Sequence, residues 1–196
     1  MQANQISYFP KILRNIPNAL TLARLFLIIP FAILIYHEAY LNVFYIFVLA
    51  GFTDALDGWL ARSFNWQSPL GAFIDPVADK LLITVSFIAL ALIGKLPWWL
   101  VSLVFLRDLT ISVGVIAWFA FIQQKPQLQP THISKINTVV QLCLVTLSLF
   151  ELSFFVFVPK IELSFIILTA FTTLLSFFDY VWTWGTKARV CLKAEK

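Results

Sequence analysis

The chain has 196 residues, of which 60% are hydrophobic, 16% aromatic and only 12% charged, and its mean hydropathy is +0.86. A soluble domain carries about 25% charged residues, so the composition excludes a water-facing globule, and equally a disordered chain, a collagen or a disulfide scaffold. One compact integral-membrane domain is expected, and the net charge of +4 reads as basic loops on one side of a bilayer, with no nucleic-acid partner.

In chain order, residues 1–15 come first, mixing Tyr8, Phe9, Ile12 and Leu13 with Lys11 and Arg14. That mixture predicts an amphipathic helix lying in the interface, an anchor and not a span. Crossing the hydrocarbon takes roughly 20 helical residues. Six such segments are predicted, at 18–37, 42–63, 69–93, 97–123, 133–157 and 161–184, separated by Pro, Gly or polar breaks. The fold class is therefore all-α integral membrane, with a six-helix domain over 16–186 and a basic tail at 187–196.

Six spans leave both termini on one side. Lys11, Arg14, Arg62, Lys125, Lys187, Arg189, Lys193 and Lys196 collect there, against Lys95 and Lys160 with Glu38, Glu151 and Glu162 on the other. The positive-inside rule makes the first side cytoplasmic. The two cysteines, Cys143 in an apolar stretch and Cys191 in the basic tail, predict no disulfide. No internal repeat is visible, which weighs against a secondary transporter.

Ionisable residues within a span are costly and mark functional sites by default. Four acids gather in the second and third segments: Asp54, Asp57, Asp75 and Asp79. At about 100° per residue, Asp54, Asp57, Gly58 and Ala61 share one helix face, as do Gly71, Asp75 and Asp79 on the next helix. A short link makes these helices antiparallel neighbours, so both faces converge on one cavity near the cytoplasmic end.

Like charges at close range cannot all stay ionised unaided, and a divalent cation, or two, resolves the conflict. Hard oxygen donors without His or Cys favour Mg²⁺ or Mn²⁺, which share their coordination with substrate phosphates. Three acids holding metal leave a fourth to take a proton from an attacking hydroxyl. Gly58 and Gly71 let a nucleotide approach the backbone, Ala61 keeps that face open, and Arg62 offers a cation to phosphate oxygens. Two other readings use the same acids: a cation pathway through the membrane, or structural pairing with Arg62, Lys80, Arg107 or Lys135.

From Asp54 to Asp79 the pattern is D-x2-D-G-x2-A-R-x8-G-x3-D-x3-D, eight fixed positions within 26 residues. This resembles the signature of the CDP-alcohol phosphatidyltransferases, membrane enzymes that move a phosphatidyl group from CDP-diacylglycerol to an alcohol and release CMP. The resemblance implies a six-helix homodimer with two divalent ions. It implies that Asp54, Asp57, Asp75 and Asp79 hold metal, with Asp79 also the catalytic base. By the same resemblance Asp54, Gly58, Ala61, Arg62 and Gly71 contact the CDP moiety, and Asn18, Thr21 and Arg24 approach its nucleotide end.

The acceptor is read from the later helices. Arg107-Asp108, with Val115 where a second Arg falls in glycerol-3-phosphate-using members, and Ser134-Lys135-Ile136-Asn137-Thr138 are similar to the eukaryotic-type cardiolipin synthases of that family, as is Pro97-Trp98-Trp99. Arg107, Asp108, Ser134, Lys135 and Asn137 are thus expected to bind phosphatidylglycerol, with glycerol-3-phosphate as the alternative acceptor. Ser134, Asn137, Thr138 and Gln141 follow an i, i+3, i+4, i+7 stripe, which also suits interhelical hydrogen bonding. The expected setting is a bacterial cytoplasmic or mitochondrial inner membrane, with the site facing cytoplasm or matrix.

Overall fold

A computed structural model describes residues 16–64, 69–121, 131–155 and 159–194. The predicted interfacial segment 1–15 lies outside the described residues, as do the side chains of Asn18, Ala61, Arg62, Gly71 and Asp75. Every described element is an α-helix: α1 (Ile16–Tyr36), α2 (Tyr40–Ser63), α3 (Pro69–Leu92), α4 (Trp98–Phe121), α5 (His132–Phe154) and α6 (Pro159–Ala194). Four of them, α1, α2, α5 and α6, contain described stretches of 18 to 25 residues that are long and apolar enough to cross a membrane. Large apolar side chains point outward from these helices, among them Phe26, Tyr45, Phe171 and Phe178, all more than half exposed. Such faces suit lipid and not water.

The chain forms two compact units, one through Val85 and the other from Ser86, the boundary falling within α3. In the first unit α1 packs on α2. A tight turn joins them: the amides of His37, Glu38 and Ala39 donate to the carbonyls of Ile33, Ile35 and Leu34 at 3.0 to 3.2 Å, with Glu38 in the left-handed region at φ 57°. Phe31, Ile35, Val43, Phe47 and Ala50 are buried along the seam, and the Phe31 and Phe47 rings lie 6.3 Å apart.

In the second unit α5 and α4 both pack on α6. Its first turn is set by Gly94, whose φ of +75° costs a residue without Cβ little. The Gly94 amide donates to the Ala91 carbonyl and the Lys95 amide to that of Leu90, at 3.0 and 2.9 Å, the paired bonds of a Schellman stop. That stop delivers Lys95 to two acids. Its ammonium donates to Glu151 on α5 at 2.7 Å and to Glu162 on α6 at 3.0 Å, and Glu151 is only 5% exposed.

Helix ends differ from the sequence reading in one informative way. The basic segment 187–194 continues α6 as helix, because no Pro or Gly after Gly185 interrupts it. At the other end of the scale, Gly114 on α4 admits Tyr180 of α6, whose hydroxyl donates to the Ile111 carbonyl at 3.1 Å. A Cβ at Gly114 would overlap that hydroxyl and crowd the ring carbons at 3.1 and 3.2 Å. Gly114→Ala is expected to lower stability by about 1 to 3 kcal/mol, measured by thermal unfolding in detergent.

Lys95 gives a second prediction. Burial pulls its pKa down, but the hydrogen bonds and charges of Glu151 and Glu162 outweigh this and hold it above the ordinary 10.5. A cation raised by folding stabilises fully below its unfolded pKa and ceases to do so as pH climbs through its folded one. The stability difference between wild type and Lys95→Met should stay level at about 3 kcal/mol from neutral pH to about pH 10 and shrink above it. A difference that grows with alkalinity contradicts this.

Candidate active site

Helix arithmetic explains why three acids meet one arginine in the first unit. Arg24 stands 12 residues before Tyr36, the last residue of α1, and Asp54 stands 14 after Tyr40, the first of α2. At 1.5 Å per residue these are about 18 and 21 Å from the turn, nearly the same height. Asp57 is one turn beyond Asp54, and Asp79 comes from α3.

The Arg24 guanidinium binds all three. Its Nη1 donates to Asp54 Oδ1 at 2.6 Å and also to Asp79 Oδ1, and its Nη2 donates to Asp57 Oδ2 at 2.6 Å. The Arg24 side chain is fully buried and Asp57 is 6% exposed, whereas Asp54 and Asp79 are 47% and 43% exposed. The cluster thus has a buried floor and two carboxylates open toward the outside. Thr21, one turn before Arg24, is buried on the same helix.

Among the described residues, three carboxylates hydrogen-bond to this guanidinium. Among the described residues no group of three His, Cys, Asp or Glu is arranged around a metal-sized gap; the guanidinium occupies the point where these carboxylates converge. The donor set still fits a divalent cation, because it is all hard oxygen and open on one side. Asp75, the fourth acid of the pattern, lies with its side chain outside the described residues, as do Ala61, Arg62, Gly71 and Asn18. Gly58 follows Asp57 directly on α2.

Of the residues expected to bind the acceptor, Arg107, Asp108 and Ser134 meet in the second unit, whereas Asn137 and Lys135 make no hydrogen bond to them among the described residues. Arg107 on α4 is 5% exposed; its Nη1 donates to Asp108 at 2.5 Å and its Nη2 to the hydroxyls of Ser134 and Ser176 at 2.7 and 2.5 Å. Thr131 caps α5 by accepting the Ser134 amide at 3.3 Å, which sets Ser134 in the first turn facing Arg107. Asn137 is fully buried, and its Oδ1 accepts from Thr172 and Thr173 of α6, both at 2.9 Å. That clamp is the interhelical use of the stripe. Gln141 is buried with it, Thr138 turns back to the Ser134 carbonyl, and Lys135 is exposed.

Sequence reading did not find the α6 side of this cluster. Thr169, Thr172, Thr173 and Ser176 repeat at i, i+3, i+4 and i+7, the signal that was available. Nor did it pair the acids with Arg24: the structural alternative named Arg62, Lys80, Arg107 and Lys135, and the residue that binds the aspartates is one assigned to the nucleotide.

Residues 14–182 match the CDP-alcohol phosphatidyltransferase family. The chain is 34% identical over 197 residues to a cardiolipin synthase (CMP-forming) of Rattus norvegicus, covering 92% of this chain and 65% of that protein. It is 35% identical over 182 residues to the human protein of the same name, covering 85% and 60%. To a CDP-diacylglycerol--glycerol-3-phosphate 3-phosphatidyltransferase of Wigglesworthia glossinidia brevipalpis it is 33% identical over 175 residues, 86% of this chain and 95% of that one. The chain therefore spans about three fifths to two thirds of the mammalian relatives' length. All eight signature positions and the Arg107 cluster fall inside the matched region, and the chain belongs to the CDP-alcohol phosphatidyltransferase family.

Proposed function

We propose that this protein transfers a phosphatidyl group from CDP-diacylglycerol to phosphatidylglycerol, giving cardiolipin and CMP. The observation that carries the reading is the convergence of Asp54, Asp57 and Asp79, three positions of one family signature, on the Arg24 guanidinium. Asp54, Asp57, Asp75 and Asp79 would hold two divalent ions, Mg²⁺ or Mn²⁺. When bound, these supply charge stabilisation to the pyrophosphate and to the oxygen that leaves with CMP.

The chain's own groups do the rest. Asp79, half open to the outside, accepts the proton of the acceptor hydroxyl as that oxygen bonds to the phosphatidyl phosphorus and the bond to CMP breaks. Arg24 balances the carboxylates and, with Asn18, Thr21, Gly58, Ala61, Arg62 and Gly71, receives the CDP moiety. Arg107, with Asp108, Ser134, Lys135 and Asn137, binds the acceptor. Arg107 already has a carboxylate partner at 2.5 Å, which suits a singly charged phosphodiester better than a phosphomonoester. The second reading, glycerol-3-phosphate as acceptor, is favoured by the near full-length match to the Wigglesworthia protein.

In the same proposal all six helices span the membrane as one domain over 16–186. Residues 1–15 lie in the interface, the basic tail and the site face the cytoplasm or matrix, and the protein is a homodimer in a bacterial cytoplasmic or mitochondrial inner membrane.

The test is CMP release by purified protein from CDP-diacylglycerol with Mg²⁺ or Mn²⁺, offered phosphatidylglycerol in one tube and glycerol-3-phosphate in another. Release with phosphatidylglycerol is expected, and Asp57→Asn should reduce it by at least about 10²-fold. Release only with glycerol-3-phosphate selects the second reading. Full release by Asp57→Asn, or none by wild type with either acceptor, overturns both.

A further inference from the structure

The contact between α5 and α6 has a readable register. Ser134 and Ser176 share Arg107 Nη2, Asn137 accepts from Thr172 and Thr173, and the Ser148 hydroxyl lies 3.5 Å from Glu162. Numbers on α6 thus fall as those on α5 rise, so the helices run antiparallel and pair polar with polar residues at three heights. The same register sets Gln141 opposite Thr169, both buried. Ser176 ends the inward stripe of α6 that begins at Thr169, and it is 1% exposed.

Helix-to-helix hydrogen bonding accounts for Thr172 and Thr173, whose hydroxyls end on Asn137 Oδ1. Ser176 differs because its partner carries a charge. Arg107 Nη2 has two hydrogens to donate, and Ser134 Oγ on α5 and Ser176 Oγ on α6 accept from it at 2.7 and 2.5 Å. Asp108 accepts from Nη1, but it is the next residue on the same helix and cannot fix the guanidinium relative to α5 or α6. That is left to the two serines. Neutral hydroxyls also orient the guanidinium without placing more negative charge beside it.

We infer that Ser176 is a positioning residue for the acceptor, fixing with Ser134 the plane of the Arg107 guanidinium. This rests on the acceptor role proposed above for Arg107, and Ser176 acts only through that arginine. A guanidinium is a rigid planar fork that meets phosphate oxygens through directed N–H bonds. Without the Ser176 oxygen, a buried Nη2 hydrogen loses its partner, which is costly for a charged group. The fork then turns to recover one. What suffers is capture of the acceptor and not the bond-making step, so the loss belongs in KM.

Steady-state CMP release by the purified full-length protein in mixed micelles separates positioning from helix packing. Ser176→Ala should raise KM for phosphatidylglycerol at least about tenfold, while kcat and KM for CDP-diacylglycerol stay within about twofold of wild type. Ser176→Cys, close to serine in volume but a weak acceptor, should match Ser176→Ala. Ser176→Thr, which keeps the hydroxyl, should bring KM back toward wild type. A role confined to packing would lower the melting temperature or kcat of Ser176→Ala and leave KM for phosphatidylglycerol unchanged, and that result overturns the inference. So does an equal rise in both KM values, or a KM in Ser176→Thr as high as in Ser176→Ala. If wild type uses glycerol-3-phosphate alone, the same rise in KM for that acceptor upholds Ser176 while rejecting phosphatidylglycerol as its ligand. No CMP release by wild type with either acceptor sinks the transfer reading and this inference with it.

Discussion

One buried guanidinium holds the first unit together. Arg24 reaches acids on α2 and α3 from α1, and neither Arg24 nor Asp57 could stay buried alone: an unpaired buried charge costs several kcal/mol. The contact fixes the rotation of α1, since a slip of one residue would turn Arg24 by about 100° away from Asp57. It also fixes height, because the short turn at residues 37–39 places Arg24 level with Asp54. The seam of Phe31, Val43 and Phe47 supplies packing, but apolar contact alone would tolerate a slide that this contact does not.

The charged clusters of the two units differ in composition and exposure. In the second unit Arg107 is matched by one carboxylate and two hydroxyls, and Lys95 ties two acids on two helices. The first pairs one cation with one carboxylate, and the acids of the second are only 3% and 12% exposed. Around Arg24 three carboxylates meet the same guanidinium, and two of the three are almost half exposed. Carboxylates clustered at an open position are what a divalent ion and a pyrophosphate together would use.

Much of this was legible in the sequence. Shortage of charge gave a membrane protein, and hydropathy gave six helices with ends within a few residues of those observed, except where α6 runs on to Ala194. The aspartate spacing named the family before any fold was known. What was not legible depends on pairs distant in sequence. Arg24 lies 30 residues from Asp54 and 55 from Asp79, and helical periodicity places each on a face without saying which faces meet. Asn137 was placed on a polar stripe facing the cavity beside Arg107, and its observed partners Thr172 and Thr173 lie on another helix with an equally apolar background. The Lys95 triad was missed for a related reason: a Gly-containing turn looks like a solvated loop until the Schellman bonds turn its lysine inward.

In the proposed reading the aspartate set binds divalent metal, with Arg24 supplying only part of the positive charge it needs. Electron paramagnetic resonance of Mn²⁺ titrated into the purified protein tests this most directly. Bound Mn²⁺ is expected in the wild type, with at least about tenfold weaker binding in Asp57→Asn. Free Mn²⁺ throughout the wild-type titration, or equal affinity in Asp57→Asn, would contradict it.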